Sequence, residues 1–331
     1  MLLNLFSKKK LRVVFFGTPE FAVPSLFASA KIFDLVGVVT QPDRPRGRGH
    51  KVLPCEVKVE AQKLGLPAFS PESLRKDSDE LTKFKKFLST TKIDLFVVLA
   101  YGNLLPDWVL QAPRLGAVNL HGSLLPRWRG AAPIQRALEA GDHSTGVSLQ
   151  KMVQKLDAGD VLLEQRMLIG ALENAEELSQ KLSLLSAQVL TEYFTKVFQK
   201  SLDGMAQDES LVTYAAKITK EEALWSPTWG ALETHNRVRG FYLWPQVKAT
   251  LSSGEIVALT KTGLNATYNG KALAPGEIVL SDGRVYLGTA RVDATSEPVL
   301  EVIEIKPANR GSLSAWDYFQ NHAARDTLTL K

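Results

Sequence analysis

Arg12-Val13-Val14-Phe15-Phe16-Gly17-Thr18-Pro19-Glu20-Phe21 is the stretch on which the fold turns. A β-prone run over 12–16 ends at a glycine, and an apolar-periodic stretch over 21–30 follows. The pattern predicts a strand that leads through a tight turn into a helix. Outward from it the alternation repeats, with strand-like runs at 35–40, 93–100 and 117–121 and helix-like runs at 56–64, 80–88 and 134–140. Near-continuous apolar strands are expected where helices cover both faces of a sheet. The order β-α-β-α-β therefore gives a doubly wound, mostly parallel sheet. In such sheets ligands bind beyond the carboxyl ends of the strands, which is where Gly17, Thr40, Tyr101 and His121 fall. Gly17-Thr18-Pro19 has one glycine only, and Pro19 stands where a pyrophosphate-cradling backbone needs freedom. The sheet is thus Rossmann-like without the fingerprint of a dehydrogenase.

The stretch 175–200 reads as a long amphipathic helix, with Leu178, Leu182, Leu185, Leu190 and Phe194 along one stripe. A polar, glycine-containing connection follows over 201–212. Beyond it the pattern changes to short strand-like runs at 246–251, 255–260, 276–280, 284–288 and 299–306, divided by Ser-Gly, Asn-Gly and Asp-Gly turns. That is the signature of a small β-barrel or sandwich. At 331 residues the chain exceeds one ordinary core. The expected organisation is an α/β domain over 1–200, a connection over 201–212 and a β domain over 213–331.

With 45% hydrophobic and 23% charged residues the composition is that of a globular protein, and the formal charge of +5 permits a nucleic-acid partner without requiring one. The single cysteine, Cys55, can form no internal disulfide, which fits a reducing compartment. No run approaches the roughly 18 apolar residues of a membrane span. Over residues 1–10 the apolar side chains precede Lys8-Lys9-Lys10, the reverse of a signal peptide. The expectation is a cytoplasmic enzyme with no membrane contact and no obligate protein partner.

The densest polar cluster is Val118-Asn119-Leu120-His121-Gly122-Ser123-Leu124-Leu125-Pro126-Arg127-Trp128-Arg129-Gly130. Asn119 and His121 are two apart at a strand end, so both side chains share a face. An amide that can donate to a developing oxyanion, beside an imidazole that can move a proton, suits acyl-type transfer. A lone histidine beside a turn is ordinarily a core residue; here it comes with Asn, Gly and a Pro/Arg/Gly loop. A carboxylate should orient the imidazole or accept a proton, and Lys155-Leu156-Asp157-Ala158-Gly159-Asp160 offers two. Spacing does not choose between Asp157 and Asp160, and either could stabilise a turn. Gln41-Pro42-Asp43-Arg44-Pro45-Arg46-Gly47-Arg48-Gly49-His50-Lys51 is a basic loop expected to lack regular structure. Its cations suit phosphate contacts, against the plainer reading of a solvated loop. The five histidines show no ligand spacing, so no metal is expected.

Taken together these residues resemble the methionyl-tRNA formyltransferase family. The matching stretches are Gly17-Thr18-Pro19-Glu20-Phe21-Ala22, Thr40-Gln41-Pro42-Asp43-Arg44-Pro45, the run from Asn119 through Gln135, and Asp157-Ala158-Gly159-Asp160. The likeness extends from about residue 11 to the C-terminus. It implies 10-formyltetrahydrofolate as formyl donor, initiator methionyl-tRNA as acceptor, and an Asn/His/Asp constellation carried by Asn119, His121 and Asp157. It also implies a donor site formed by backbone around Val97, Leu99 and Tyr101 and by Ser123, Leu124, Leu125 and Pro126. Arg44, Arg46, Arg48 and Lys51 would meet the tRNA, and the C-terminal domain would be an oligonucleotide-binding-type barrel. Acidic and basic residues balance after Met205, so a tRNA surface there would need a local stripe such as Arg237, Arg239, Lys248 and Arg310. Weighed against this are an amino-sugar nucleotide N-formyltransferase, a formyl-folate hydrolase and a folate- or RNA-binding protein without turnover. The Gly-Arg-Gly loop and the segment Thr213-Tyr214-Ala215-Ala216-Lys217-Ile218 favour tRNA.

Overall fold

The computed structural model describes residues 10–46, 51–264, 268, 272–292 and 298–321. They form two compact units. The first comprises the chain up to Gly130 with Gly146–Met167 and Ser179–Tyr214; the second comprises Ala131–Thr145, Leu168–Leu178 and the chain from Ala215 onward.

The first unit is organised by a seven-stranded sheet whose strands, across the sheet, are Val161–Leu168, Ser144–Lys151, Ala117–His121, Leu95–Leu99, Arg12–Gly17, Asp34–Val39 and Ala68–Phe69. The pairs from Ala117–His121 to Ala68–Phe69 are parallel. Ala117–His121 and Ser144–Lys151 run antiparallel. Val13, Val14, Phe15 and Phe16 are all fully buried, because Cβ atoms alternate across the sheet and helices such as Val23–Ile32 and Asp79–Thr90 cover it. Phe16 meets Phe96 at 4.9 Å between ring centroids and stands edge-on to Tyr101 at 5.4 Å. The Asp79–Thr90 helix starts at Ser78, whose Oγ accepts the Leu81 N–H at 3.1 Å. The expected long helix runs from Ala175 to Glu192 and continues as one wide turn over Tyr193–Val197. Parallel strands end on one edge, so Gly17, Tyr101 and His121 gather there.

The basic loop departs from expectation. Arg44–Arg46 and Lys51–Leu53 form a short antiparallel ribbon, with Arg44 opposite Leu53 and Arg46 opposite Lys51. Val52 and Leu53 supply the β-propensity that the proline- and glycine-rich composition hid.

In the second unit, strands Val247–Thr250, Ile256–Gly263, Val299–Pro307, Arg284–Gly288 and Ile278–Ser281 lie side by side in that order, antiparallel throughout, as a small β-barrel domain. Asp282 and Gly283 both have positive φ (50° and 76°), the turn that joins Ser281 to Arg284. Phe241, Val247, Val257, Leu287, Leu300 and Ile305 fill its core. The expected basic stripe is not available as a surface. Arg239 is buried and donates to the carbonyls of Gly170 and Glu173 and to Asn236 Oδ1. Arg237 stacks on Trp229 at 4.4 Å and pairs with Glu139 and Glu233. Lys248 and Arg310 remain exposed. His235 is buried beside Arg239; its Nε2–H donates to the Ala171 carbonyl at 3.0 Å and its Nδ1 shares a hydrogen bond with Thr262 Oγ1 at 2.8 Å.

Candidate active site

Asn119 and His121 stand on the last residues of the Ala117–His121 strand, and the returning strand places Gln150 opposite Asn119 and Ser148 opposite His121. Residues opposed in a ladder share a face, so the four side chains belong to one surface. His121 is buried, and its Nε2–H donates to the Trp128 carbonyl at 2.8 Å. Nδ1 then faces Asp157 Oδ2 at 3.7 Å, too far for a hydrogen bond. The expectation that the carboxylate orients the ring is therefore revised. A backbone carbonyl holds the imidazole, and Asp157 faces the nitrogen left to exchange a proton.

Asp157 adopts φ +49°, a left-handed conformation that Asp tolerates better than most residues. Its Oδ2 accepts the Gly130 N–H at 2.9 Å and its Oδ1 accepts from Gln150 Nε2 at 2.9 Å. Two residues on, the chain crosses the neighbouring strand so closely that a Cβ on Gly159 would lie 1.7 Å from the Lys151 carbonyl oxygen. The space admits glycine alone. Asp160 enters through its backbone, accepting the Lys151 N–H at 2.9 Å.

Asn119, Gln150 and Asp157 line one pocket with Leu104, Leu105, Leu110, Met152 and Leu156 among its apolar walls. A few convergent polar groups in an apolar cleft are the usual form of a small-molecule site. Gln150 escaped the sequence reading. It is 2% exposed, and its Oε1 is buried without a hydrogen-bond partner among the described residues. The only signal was a polar residue in the middle of a buried strand run.

Val97, Leu99 and Tyr101 have buried side chains, so backbone is what they can offer a ligand. The turn that follows is strained at Ala100 (φ +50°) and opens at Gly102 (φ +90°). It is clamped by the two motifs flanking the first helix and second strand. The Tyr101 carbonyl accepts from Thr18 Oγ1 and from Gln41 Nε2, each at 3.1 Å, and Thr18 Oγ1 in turn accepts the Gln41 N–H at 3.2 Å. Gly17 is required by packing: a Cβ there would meet a Phe15 ring carbon at 2.7 Å and the Leu99 carbonyl at 3.0 Å. Burial pushes the Tyr101 hydroxyl up to about 12.

Ser123 and Leu125 are buried, Leu124 and Pro126 half-buried, and none of the four lines the Asn119–Asp157 pocket among the described residues. Ser148 Oγ ties them to the sheet, accepting the Leu125 N–H at 3.0 Å and contacting the Ser123 carbonyl at 2.8 Å. Arg44 and Lys51 are exposed on the ribbon, and Arg46 stands on its first strand. Arg48 lies outside the described residues. Among the described residues no cluster of His, Cys, Asp or Glu is arranged to hold a metal ion, and no helix is long and apolar enough to cross a membrane.

The comparisons place the chain among formyl-transferring enzymes. The family model described as formyl transferase matches residues 11–194, and the one described as formyl transferase, C-terminal domain, matches 217–323. The chain is 41% identical over 315 residues to the methionyl-tRNA formyltransferase of Methylococcus capsulatus, covering 95% of this chain and 97% of that protein. Among solved structures it is similar to a sugar 3N-formyl transferase, solved in the presence of dTDP and 5-N-formyl-THF, with 14% identity and a TM-score of 0.63 over 91% of this chain and 99% of that one. It is also similar to HypX from Aquifex aeolicus, at 14% identity and a TM-score of 0.57, covering 95% of this chain and 48% of that one. At such identity these two likenesses show the fold alone. The chain belongs to the methionyl-tRNA formyltransferase family.

Proposed function

We propose that this protein transfers the formyl group of 10-formyltetrahydrofolate to the amino group of methionine on initiator tRNA. The chemistry is supported by His121 Nδ1 facing Asp157 Oδ2 at 3.7 Å and by Asn119 and Asp157 lining one pocket. The amine nitrogen attacks the formyl carbon, forming a C–N bond and a tetrahedral oxyanion. Asn119 and protonated His121 donate to that oxygen, a contribution of about a hundredfold to a thousandfold in rate per donor. As the bond from carbon to N10 breaks, N10 takes the electron pair and a proton from His121, and the carbonyl re-forms. The proton shed by the attacking amine passes to Asp157, directly or through water. The donor would lie against the backbone of Val97, Leu99 and Tyr101 and the Ser123–Pro126 stretch, with Gln150 beside the reacting carbon.

The acceptor assignment is supported by 41% identity to a methionyl-tRNA formyltransferase over nearly the whole chain. Arg44, Arg46, Arg48 and Lys51 would engage phosphates, a contact that weakens steeply with salt. The domain organisation 1–200, 201–212 and 213–331 assigns catalysis to the first part and tRNA support to the last. The enzyme would act in the cytoplasm and needs no metal. The test is an assay of the purified chain with labelled formyl donor and initiator or elongator methionyl-tRNA, with an amino-sugar nucleotide as control acceptor. Label in formyl-methionine on initiator tRNA alone is the expected outcome; label in the sugar nucleotide instead would overturn the reading.

A further inference from the structure

Residues 201–212 fall between the two family matches, and the chemistry proposed above calls on none of them. Gln207 nevertheless ends on the loop that carries Asp157. Its Nε2 donates to the Asp157 carbonyl at 2.8 Å and to the Gly159 carbonyl at 2.7 Å. Its Oε1 accepts from Arg129 Nε at 3.0 Å and Arg129 Nη2 at 2.8 Å. Both donors and both lone pairs of the amide are thereby used. The polarity cannot be reversed, since two carbonyls need donors and a guanidinium needs an acceptor.

Arg129 is wholly buried, and its Nη2 also donates to Glu209 Oε1 at 2.8 Å. The other Glu209 oxygen receives Lys155 Nζ at 2.6 Å. A buried guanidinium without such partners would be strongly unfavourable; Nε and Nη2 are held in this way, while Nη1 is buried without a partner among the described residues. Arg129 is followed by Gly130, whose N–H holds Asp157 Oδ2. Asp157 is thus gripped twice: by its carboxylate from Gly130, and by its backbone from Gln207. The second grip acts where φ is +49°, a conformation that must be held by its surroundings.

We infer that Gln207 is a positioning residue of the reaction, which uses the buried Arg129 as its anchor to hold the Asp157–Gly159 backbone so that the carboxylate faces His121. The inference rests on the reading of Asp157 as the reacting carboxylate.

The experiment is a double-mutant cycle in the full chain, with Gln207→Glu, Asp157→Asn and the pair, measured by single-turnover formylation of methionyl-tRNA. Gln207→Glu keeps an acceptor for Arg129 but turns an acceptor toward two carbonyls. It is expected to lose kcat about ten- to a hundredfold, since a displacement of about 1 Å costs about that much, with KM for donor and tRNA within about twofold. In the Asp157→Asn background the same change should cost almost nothing further. Asp208→Ala, which removes only the cap on Ser210, should leave turnover unchanged. If Gln207→Glu does not fold, the near-isosteric Gln207→Met carries the same expectation. Near-normal kcat in the folded Gln207 variants, or losses that add in the cycle, would overturn the inference while leaving Asp157 in place. Near-normal turnover of Asp157→Asn would instead sink the catalytic reading itself.

Discussion

His121 divides its ring between two partners: Nε2 gives its hydrogen to the Trp128 carbonyl at 2.8 Å, and Nδ1 faces Asp157 Oδ2 at 3.7 Å. One nitrogen is fixed by the backbone, and the proposed chemistry falls to the other. His121→Ala and Asn119→Ala should each lower kcat about a hundredfold to a thousandfold, the usual loss for an oxyanion donor, while tRNA affinity stays within a few fold. Single-turnover rates and a tRNA titration check this, and normal turnover in either variant would remove that residue from the mechanism.

Gln150 donates to Asp157 Oδ1 at 2.9 Å, and its Oε1 is buried without a partner among the described residues. A hydrogen bond to a charged group is worth about 1.5–3 kcal/mol, so Gln150→Met should cost about ten- to a hundredfold in kcat/KM. Gln150→Glu should cost more, because it sets a second carboxylate against Asp157 in a buried place. The order of the two variants is the measurement that matters.

Thr18 and Gln41 hold the Tyr101 carbonyl. Releasing it with Thr18→Val or Gln41→Leu should raise KM for the formyl donor about five- to tenfold, the worth of one ordinary hydrogen bond. KM for methionyl-tRNA should not change. Equal effects on both would show that the turn serves the fold as a whole.

Arg44 and Lys51 lie exposed on the basic ribbon, and Arg48 falls between its strands in the sequence. Replacing Arg48 or Lys51 with Ala should weaken tRNA binding and make the slope of log affinity against log salt shallower by about one. Donor binding should be untouched. An unchanged slope would place these cations away from phosphate.

His235 holds its neutral form to lower pH than a surface histidine. Burial lowers its pKa below 6.5, and the charge of Arg239 adds to the effect against the hydrogen bond that the ring donates to the Ala171 carbonyl. The folded value is thus below the unfolded one, so its contribution to stability is complete above about pH 6.5 and is lost as pH falls through that window. Thermal melts from about pH 7 to about pH 5 should show a falling Tm, and the fall should be smaller in His235→Gln.

How much of this could be read from the residues differs by element. The sheet was legible because Val13, Phe15, Phe96 and Val98 make near-continuous apolar runs, which only a doubly covered strand explains. Asn119 and His121 were legible because two-residue spacing fixes a shared face. Asp157 and Asp160 were indistinguishable by spacing, since the contacts that aim Asp157 come from Gly130 and Gln150, each outside the loop. Gln207 was beyond reach: its partners lie 50 and 78 residues away. Arg237 and Arg239 read as surface cations because composition does not reveal that Glu139, Glu173 and Trp229 enclose them.

Gly159 imposes the last constraint. With a carbonyl oxygen where its first side-chain carbon would have to go, this position has no intermediate states between working and displaced. Drift can remodel the exposed tip of the loop at Leu156, but two residues past Asp157 a single hydrogen atom marks the limit of variation. The path of the chain beside Asp157 is set by the one amino acid small enough to let it pass.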